Sequence, residues 1–150
     1  MDTPLIEVDT LIEAEPDSVW DVLTRPKSAM FMGADVDTDW KQGSPISFTG
    51  EFNGKPFSDH GEIREIDQPS SLAFTHFSPS SGKPDAPENY NLVRVTLAPE
   101  GRATRTSLSQ TPMGSDPAPN EETRAAFEKN WRMMLDGLKA AAEESAPADA

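Results

Sequence analysis

The chain has 150 residues, 35% apolar and 26% charged, and its 26 Asp and Glu outnumber 13 Lys and Arg to give a formal charge of −13. That length encloses one hydrophobic core, and so negative a surface repels phosphate backbones and anionic lipid, which speaks against nucleic-acid and membrane binding. The sequence holds no cysteine, which excludes disulfides, thiol nucleophiles and cysteine-ligated zinc. The amino terminus MDTPLIEVDT lacks the basic-then-apolar layout of a signal peptide, and no run of about 18 apolar residues offers a membrane span. A monomeric cytoplasmic protein is expected.

In chain order, LIEVDTLIEA from Leu5 alternates Ile6, Val8 and Thr10 and reads as a strand. Pro16 and Asp17 then open a short helix, since proline is tolerated in a first turn and an acid suits its positive end. Val19, Trp20 and Leu23 form its apolar face, Trp20 as core, and Arg25-Pro26 ends it. Lys27 to Phe31 is read as a further helical turn before an irregular connection through Trp40, a residue expected to pack over the mouth of any cavity.

The middle is a series of hairpins. Asn53-Gly54 is the strongest turn signal, because a type I′ turn needs positive φ at both central residues. It joins PISFTGEF to KPFSDHGEIREI, and Asp67-Gln68-Pro69-Ser70 turns that strand into SLAFTHF. SPSSGKPDAPEN, residues 78 to 89, is polar and proline-rich and reads as a mobile loop, with Tyr90 beside it as a gate. YNLVRVTLA and ATRTSLSQT follow as strands. Asn120 can then cap a helix of residues 120 to 143, its first turn holding Glu121 and Glu122. Phe127, Trp131, Met134, Leu135 and Leu138 recur at helical spacing along it. A single domain over 1–144 is expected, with a disordered acidic tail at 145–150.

A long helix with one apolar face must cover the apolar face of such a sheet, so the fold class is α+β: a helix-grip, with a curved antiparallel sheet of about six strands around the C-terminal helix. Opposed residues of a hairpin share a face. The Asn53-Gly54 turn sets Phe52 against Lys55, Gly50 against Phe57, Phe48 against Asp59 and Ile46 against Gly61. The next turn sets Gly61 against His76 and Ile63 against Phe74, so Ile46, Phe48, Phe52, Phe57, Asp59, Ile63, Leu72, Phe74 and His76 share the inner face. Across residues 99 to 102 the same rule joins Val95 with Thr106, Val93 with Leu108 and Asn91 with Gln110.

Two readings of that face stand side by side. The phenylalanines fill the core and Gly50 and Gly61 let the sheet curve, or the missing side chains leave a cavity roofed by Trp131, Met134 and Leu135. His76 and Asp59 are diagonal neighbours, a pair able to act as a general base or to bind a ligand carbonyl, unless Asp59 sits in water at the hairpin rim. Asn91 and Gln110 would add neutral hydrogen bonds at the other end. His60 points to the opposite face with Glu62 and Arg64 and is expected to be solvated. No histidine pair has a third ligand at metal spacing, and neither a glycine-rich phosphate loop nor a GxSxG elbow is present, so no metal or cofactor is expected.

PDSVWDVLT, TDWKQGSPISFTGEFNGKP, HGEIREIDQPSSLAFTHF, ATRTSLSQT and FEKNWRMMLDGLKAA, in this order, resemble the START-like (SRPBCC) superfamily. More narrowly they resemble the bacterial relatives of the C-terminal domain of the activator of Hsp90 ATPase, over about Leu5 to Ala142. The resemblance implies a small hydrophobic ligand, lipid-like or aromatic and polyketide-like, held between sheet and long helix. The residues touching it would be Phe48, Phe52, Phe57, Phe74, His76, Gln110, Trp131, Met134 and Leu135. Some relatives are cyclases or hydrolases, which makes an enzyme using His76 and Asp59 one alternative. A chaperone partner is the other, although the co-chaperone's N-terminal domain has no counterpart in these residues. No reaction is legible, so binding rather than catalysis is expected.

Overall fold

Alternation of apolar and polar residues lays down the strands, and a computed structural model describes them over residues 6–25, 34–52, 54–79, 82–114 and 121–145. The elements are β1 (Ile6–Ile12), α1 (Pro16–Leu23), β2 (Asp35–Asp37), β3 (Pro45–Phe52), β4 (Lys55–Asp67), β5 (Ser71–His76), β6 (Asn91–Glu100), β7 (Ala103–Pro112) and α2 (Glu121–Ser145). Seven antiparallel strands run in the order β1-β7-β6-β5-β4-β3-β2, and α2 lies across the inner face of this sheet. The helix-grip class stands. The added seventh strand is β2, three residues that bury Val36 and extend the edge of β3, within the stretch read as irregular. The extra turn at Lys27 to Phe31, the tail 146–150 and the Asn120 cap lie outside the described residues.

In α1, Pro16 stands in the first turn with Asp17 beside the positive end, and Val19, Trp20, Val22 and Leu23 are buried. Thr24 ends the helix by donating both its N–H and its hydroxyl to the Trp20 carbonyl. On α2, Leu135, Leu138 and Ala142 are buried against the sheet, while Trp131 and Met134 are only partly so. Phe127, placed on the apolar stripe by its spacing, is instead 38% exposed. The closest neighbours of α2 are β1 and α1.

The β3–β4 register is the expected one, from Ile46 opposite Gly61 to Phe52 opposite Lys55. Between β4 and β5 the pair Ile63–Phe74 also stands, but a bulge after Ile63 resets the pairing beyond it. Glu65 lies opposite Ala73, Ile66 opposite Leu72 and Asp67 opposite Ser71. An extra residue in one strand reverses the alternation on its far side, and this brings Ile66 into contact with the core. Gly61 and His76 do not form a regular pair: Glu62 N–H donates to the Thr75 hydroxyl there, at 2.9 Å. The β6–β7 register is shifted by two residues from expectation, with Val95 opposite Leu108, Val93 opposite Gln110 and Glu100 opposite Ala103. The tight turn is Gly101-Arg102, Gly101 taking φ 66°. A shift of two leaves every side chain on its expected face.

The two inner glycines have different causes. A Cβ on Gly61 would lie 1.6 Å from the Thr75 carbonyl oxygen, whereas one on Gly50 would meet the Phe57 ring at 3.1 Å. Neither position is vacant, so the missing side chains are not what would open a cavity. Gly61→Ala must move backbone and is expected to cost about 2–3 kcal/mol. Gly50→Ala displaces only the edge of a half-buried ring and should cost under about 1 kcal/mol. Urea denaturation of both variants checks the order.

Candidate functional site

Strand pleating brings the expected side chains to one wall. Phe48 and Phe74 are buried, with ring centroids 5.5 Å apart, and the His76 ring lies 5.8 Å from Phe48. Phe57 is half-buried, its ring against Gly50. The side chain of Phe52 lies outside the described residues. Along α2, Leu135, Leu138 and Ala142 are buried against the wall, whereas Trp131 and Met134 remain partly accessible.

Polar groups interrupt this wall on β4, β5, β6 and β7. His76 Nε2 lies 3.0 Å from Asp59 Oδ2, the two side chains 27% and 16% exposed, so the pair is neither at a solvated rim nor sealed. Asp59 Oδ1 is buried and has no hydrogen-bond partner among the described residues. Asn91 stands opposite His76 on β6, and Gln110 stands opposite Val93. The two amides are therefore on the same side of the wall as His76, not at its far end. Gln110 accepts a hydrogen bond from Trp131 Nε1–H, which ties α2 to β7 and joins two residues expected to meet a ligand separately.

Three expected roles change. Trp40, with φ 58°, packs against the core beside Trp20, Ile66 and Gln68 in an open cleft of about 520 Å³. That cleft adjoins the β4–β5 turn, and His76 ends β5 at its opposite end, so Trp40 does not cover this site. Tyr90 stacks on Phe77, centroids 5.2 Å apart, on the outer face. It gates nothing on the inner wall. His60 is on the outer face as expected, yet it is not simply solvated: its Nε2 lies 2.9 Å from Asp85 Oδ2 and 3.1 Å from the Tyr90 hydroxyl. Asp85, in the segment read as a loop, had no sequence signal, because only the return of that loop to β4 gives it partners. A short 3₁₀ turn at Pro87–Asn89 accompanies that return.

Among the described residues no three His, Asp or Glu side chains gather as a metal site, and no helix is long and apolar enough to cross a membrane. The inner wall thus offers aromatic surface, one imidazole–carboxylate pair and neutral amides.

The family described as activator of Hsp90 ATPase homolog 1-like protein matches residues 13–143. The chain belongs to this family. Among solved structures it is similar to ChR145 from Cytophaga hutchinsonii, with 37% identity, 92% of each chain covered and a TM-score of 0.75. CalU16 from Micromonospora echinospora is 19% identical, with 93% of this chain and 83% of that one covered and a TM-score of 0.65. DynU16, from the dynemicin biosynthetic locus, is 17% identical over 95% of this chain and 48% of that one, with a TM-score of 0.74. At such identities the last two show the shared fold alone. No curated protein matches the chain.

The outer-face cluster yields a measurable property of this family member. Tyr90 donates to Asp85 Oδ1 at 2.6 Å, and this bond, aided by burial and the Asp85 charge, pushes the phenol from 10.0 up to about 12. The same bond holds Asp85 below the usual carboxylate range. Since the folded phenol value is the higher one, its contribution to stability is present below pH 10.0 and lost as pH rises through about 12. Tyr90 is the chain's single tyrosine, so its ultraviolet absorbance reads it alone. Half-ionisation is expected near pH 12 in the native protein, with Asp85→Asn moving it back toward the ordinary value.

Proposed function

We propose that the protein binds a small hydrophobic molecule, lipid-like or aromatic, between the inner face of β3–β7 and the N-terminal half of α2. One observation carries this reading: the inner face sets the Phe48 and Phe74 rings beside a half-buried imidazole–carboxylate pair, His76 and Asp59, while Trp131 and Met134 of α2 are only partly buried. A core with no ligand to receive has little use for a carboxylate among phenylalanines, because burying a charge costs several kcal/mol unless it is well paired. Phe48, Phe57, Phe74, Trp131, Met134 and Leu135 supply apolar contact, and His76 and Gln110 polar contact. Membership of the family supports the same placement. Titration with a panel of fatty acids and polycyclic aromatics should shift the amide resonances of Phe74 and Trp131. Shifts confined to other parts of the chain would remove the reading.

A second reading, an enzyme, is favoured by the 3.0 Å contact of His76 with Asp59. With Nε2–H donating to the carboxylate, Nδ1 is the nitrogen left to take a proton from a bound carbonyl compound. On any substrate found, His76→Ala is expected to lower kcat by about a hundredfold or more, with a smaller loss for Asp59→Asn. Unchanged turnover in both variants rules catalysis by this pair out.

A further inference from the structure

We propose that Asp85, on the outer face of the sheet, is a positioning residue for the inner site: through His60 and Tyr90 it holds the strand bridge that sets His76 against Asp59. As a role in function, the inference rests on the binding reading above. Its ground is a back-to-back arrangement. Asp59 precedes His60 on β4, His76 at the end of β5 precedes Phe77, and Tyr90 precedes Asn91, where β6 starts. In each couple one side chain belongs to the inner wall and the other to the outer cluster.

The inner contact has little slack. Regular β4–β5 pairing lapses at Gly61 and His76, where Glu62 N–H donates to the Thr75 hydroxyl. The strands are joined again by an isolated bridge, His60 N–H donating to the Phe77 carbonyl at 3.1 Å and Phe77 N–H to the His60 carbonyl at 2.8 Å. That bridge makes Asp59 and His76 diagonal neighbours, which stand about 7–8 Å apart in a regular sheet. Aspartate is short, so its 3.0 Å contact with His76 Nε2 survives little splaying of the strands. About 1 Å more takes it beyond hydrogen-bond range.

The outer cluster opposes that splaying. Asp85 Oδ2 lies 2.9 Å from His60 Nε2, and its Oδ1 accepts from the Tyr90 hydroxyl at 2.6 Å. One carboxylate thus ties β4 to the head of β6 over the intervening Phe77. Phe77 is buried on the outer face, stacked on Tyr90 with centroids 5.2 Å apart and packed against His60 at 5.6 Å. The segment carrying Asp85 is itself seated. A Cβ on Gly114 would lie 2.3 Å from the Glu88 carbonyl oxygen, and Met113 N–H donates to the Tyr90 carbonyl at 3.0 Å. His60 and Asp85 are exposed enough that their ion pair adds little to global stability. What Asp85 contributes is alignment of three strands where the inner pair sits.

The test reads the ligand-free full chain by long-range proton–nitrogen correlation of its imidazole rings at mildly alkaline pH, where imidazole is neutral. In the native protein the His76 nitrogens are expected to show one fixed tautomer, with the proton on Nε2 facing Asp59. Asp85→Ala should move both nitrogens toward the averaged shifts of free histidine, while Tyr90 ionises nearer its ordinary value. Asp85→Glu, which keeps the carboxylate, should restore part of the native signature. Glu65→Ala is the control for a merely structural effect, because Glu65 also joins three strands, bonding Ser71 and Arg94 at the other end of β4 and β5. It should leave His76 unmoved. Tyr90→Phe loses one bond and keeps the stacked ring, so it should give a smaller shift of the same kind, and it keeps the test available if Asp85→Ala does not fold. A native His76 already averaged, an unmoved His76 in Asp85→Ala, or an equal movement in Glu65→Ala overturns the inference and leaves the binding reading standing. No ligand enters these measurements, so failure of the titration with fatty acids and polycyclic aromatics removes the binding reading without altering their result.

Discussion

The C-terminal half of α2 is pressed onto β1 and α1, and the rest of the architecture is arranged around that contact. Leu135, Leu138 and Ala142 are buried there, each large side chain contributing about 1.5–3 kcal/mol when fully removed from water. Two polar clamps fix the helix axially. Lys139 Nζ donates to the Leu11 carbonyl at 2.8 Å, and Glu143 accepts from the Glu13 N–H at 2.8 Å. Lys139 and Glu143 are also bonded to each other, one helical turn apart, so the clamp is a small network rather than two isolated pairs. A rod fixed along one half carries its other half wherever the sheet's curvature leaves it. Here that half is tied to β7 through Trp131 and Gln110, above the aromatic wall.

The pleat of β4 distributes the chemistry between two faces. Asp59 and His60 are consecutive, so one points in and the other out. Inward, Asp59 meets His76 of β5; outward, His60 meets Asp85 and Tyr90. The two histidine–aspartate contacts differ in setting. The outer one is well supplied with partners, is packed on Phe77 and leaves the His60 and Asp85 side chains 40% and 54% exposed, so it chiefly fastens a loop to the sheet. The inner one is more enclosed and incompletely satisfied, the combination found where a protein keeps a polar group for something besides stability.

Much of the fold was legible locally. Period-two alternation marked β1, β3, β4, β5, β6 and β7, the apolar spacing of Trp131 to Leu138 marked α2, and Asn53-Gly54 set the β3–β4 register residue for residue. That register and the neighbouring turn already placed Asp59 near His76. The misses share one cause. The bulge after Ile63, the position of the Gly101-Arg102 turn and the short β2 depend on contacts with the adjoining strands, which no local pattern of turn residues encodes.

The order of side chains by itself determined the elements other than β2, the sheet's inner face and the residue types on it, because pleating and helical periodicity are local properties of the backbone. Tertiary structure alone decided that Thr75 fills the space at Gly61, that Trp40 and Tyr90 stand away from the inner wall, that Asp85 returns to His60, and that Asp59 keeps one oxygen unpaired. Each of these is a meeting of segments distant in sequence, and such meetings are set by how the packed layers settle against one another.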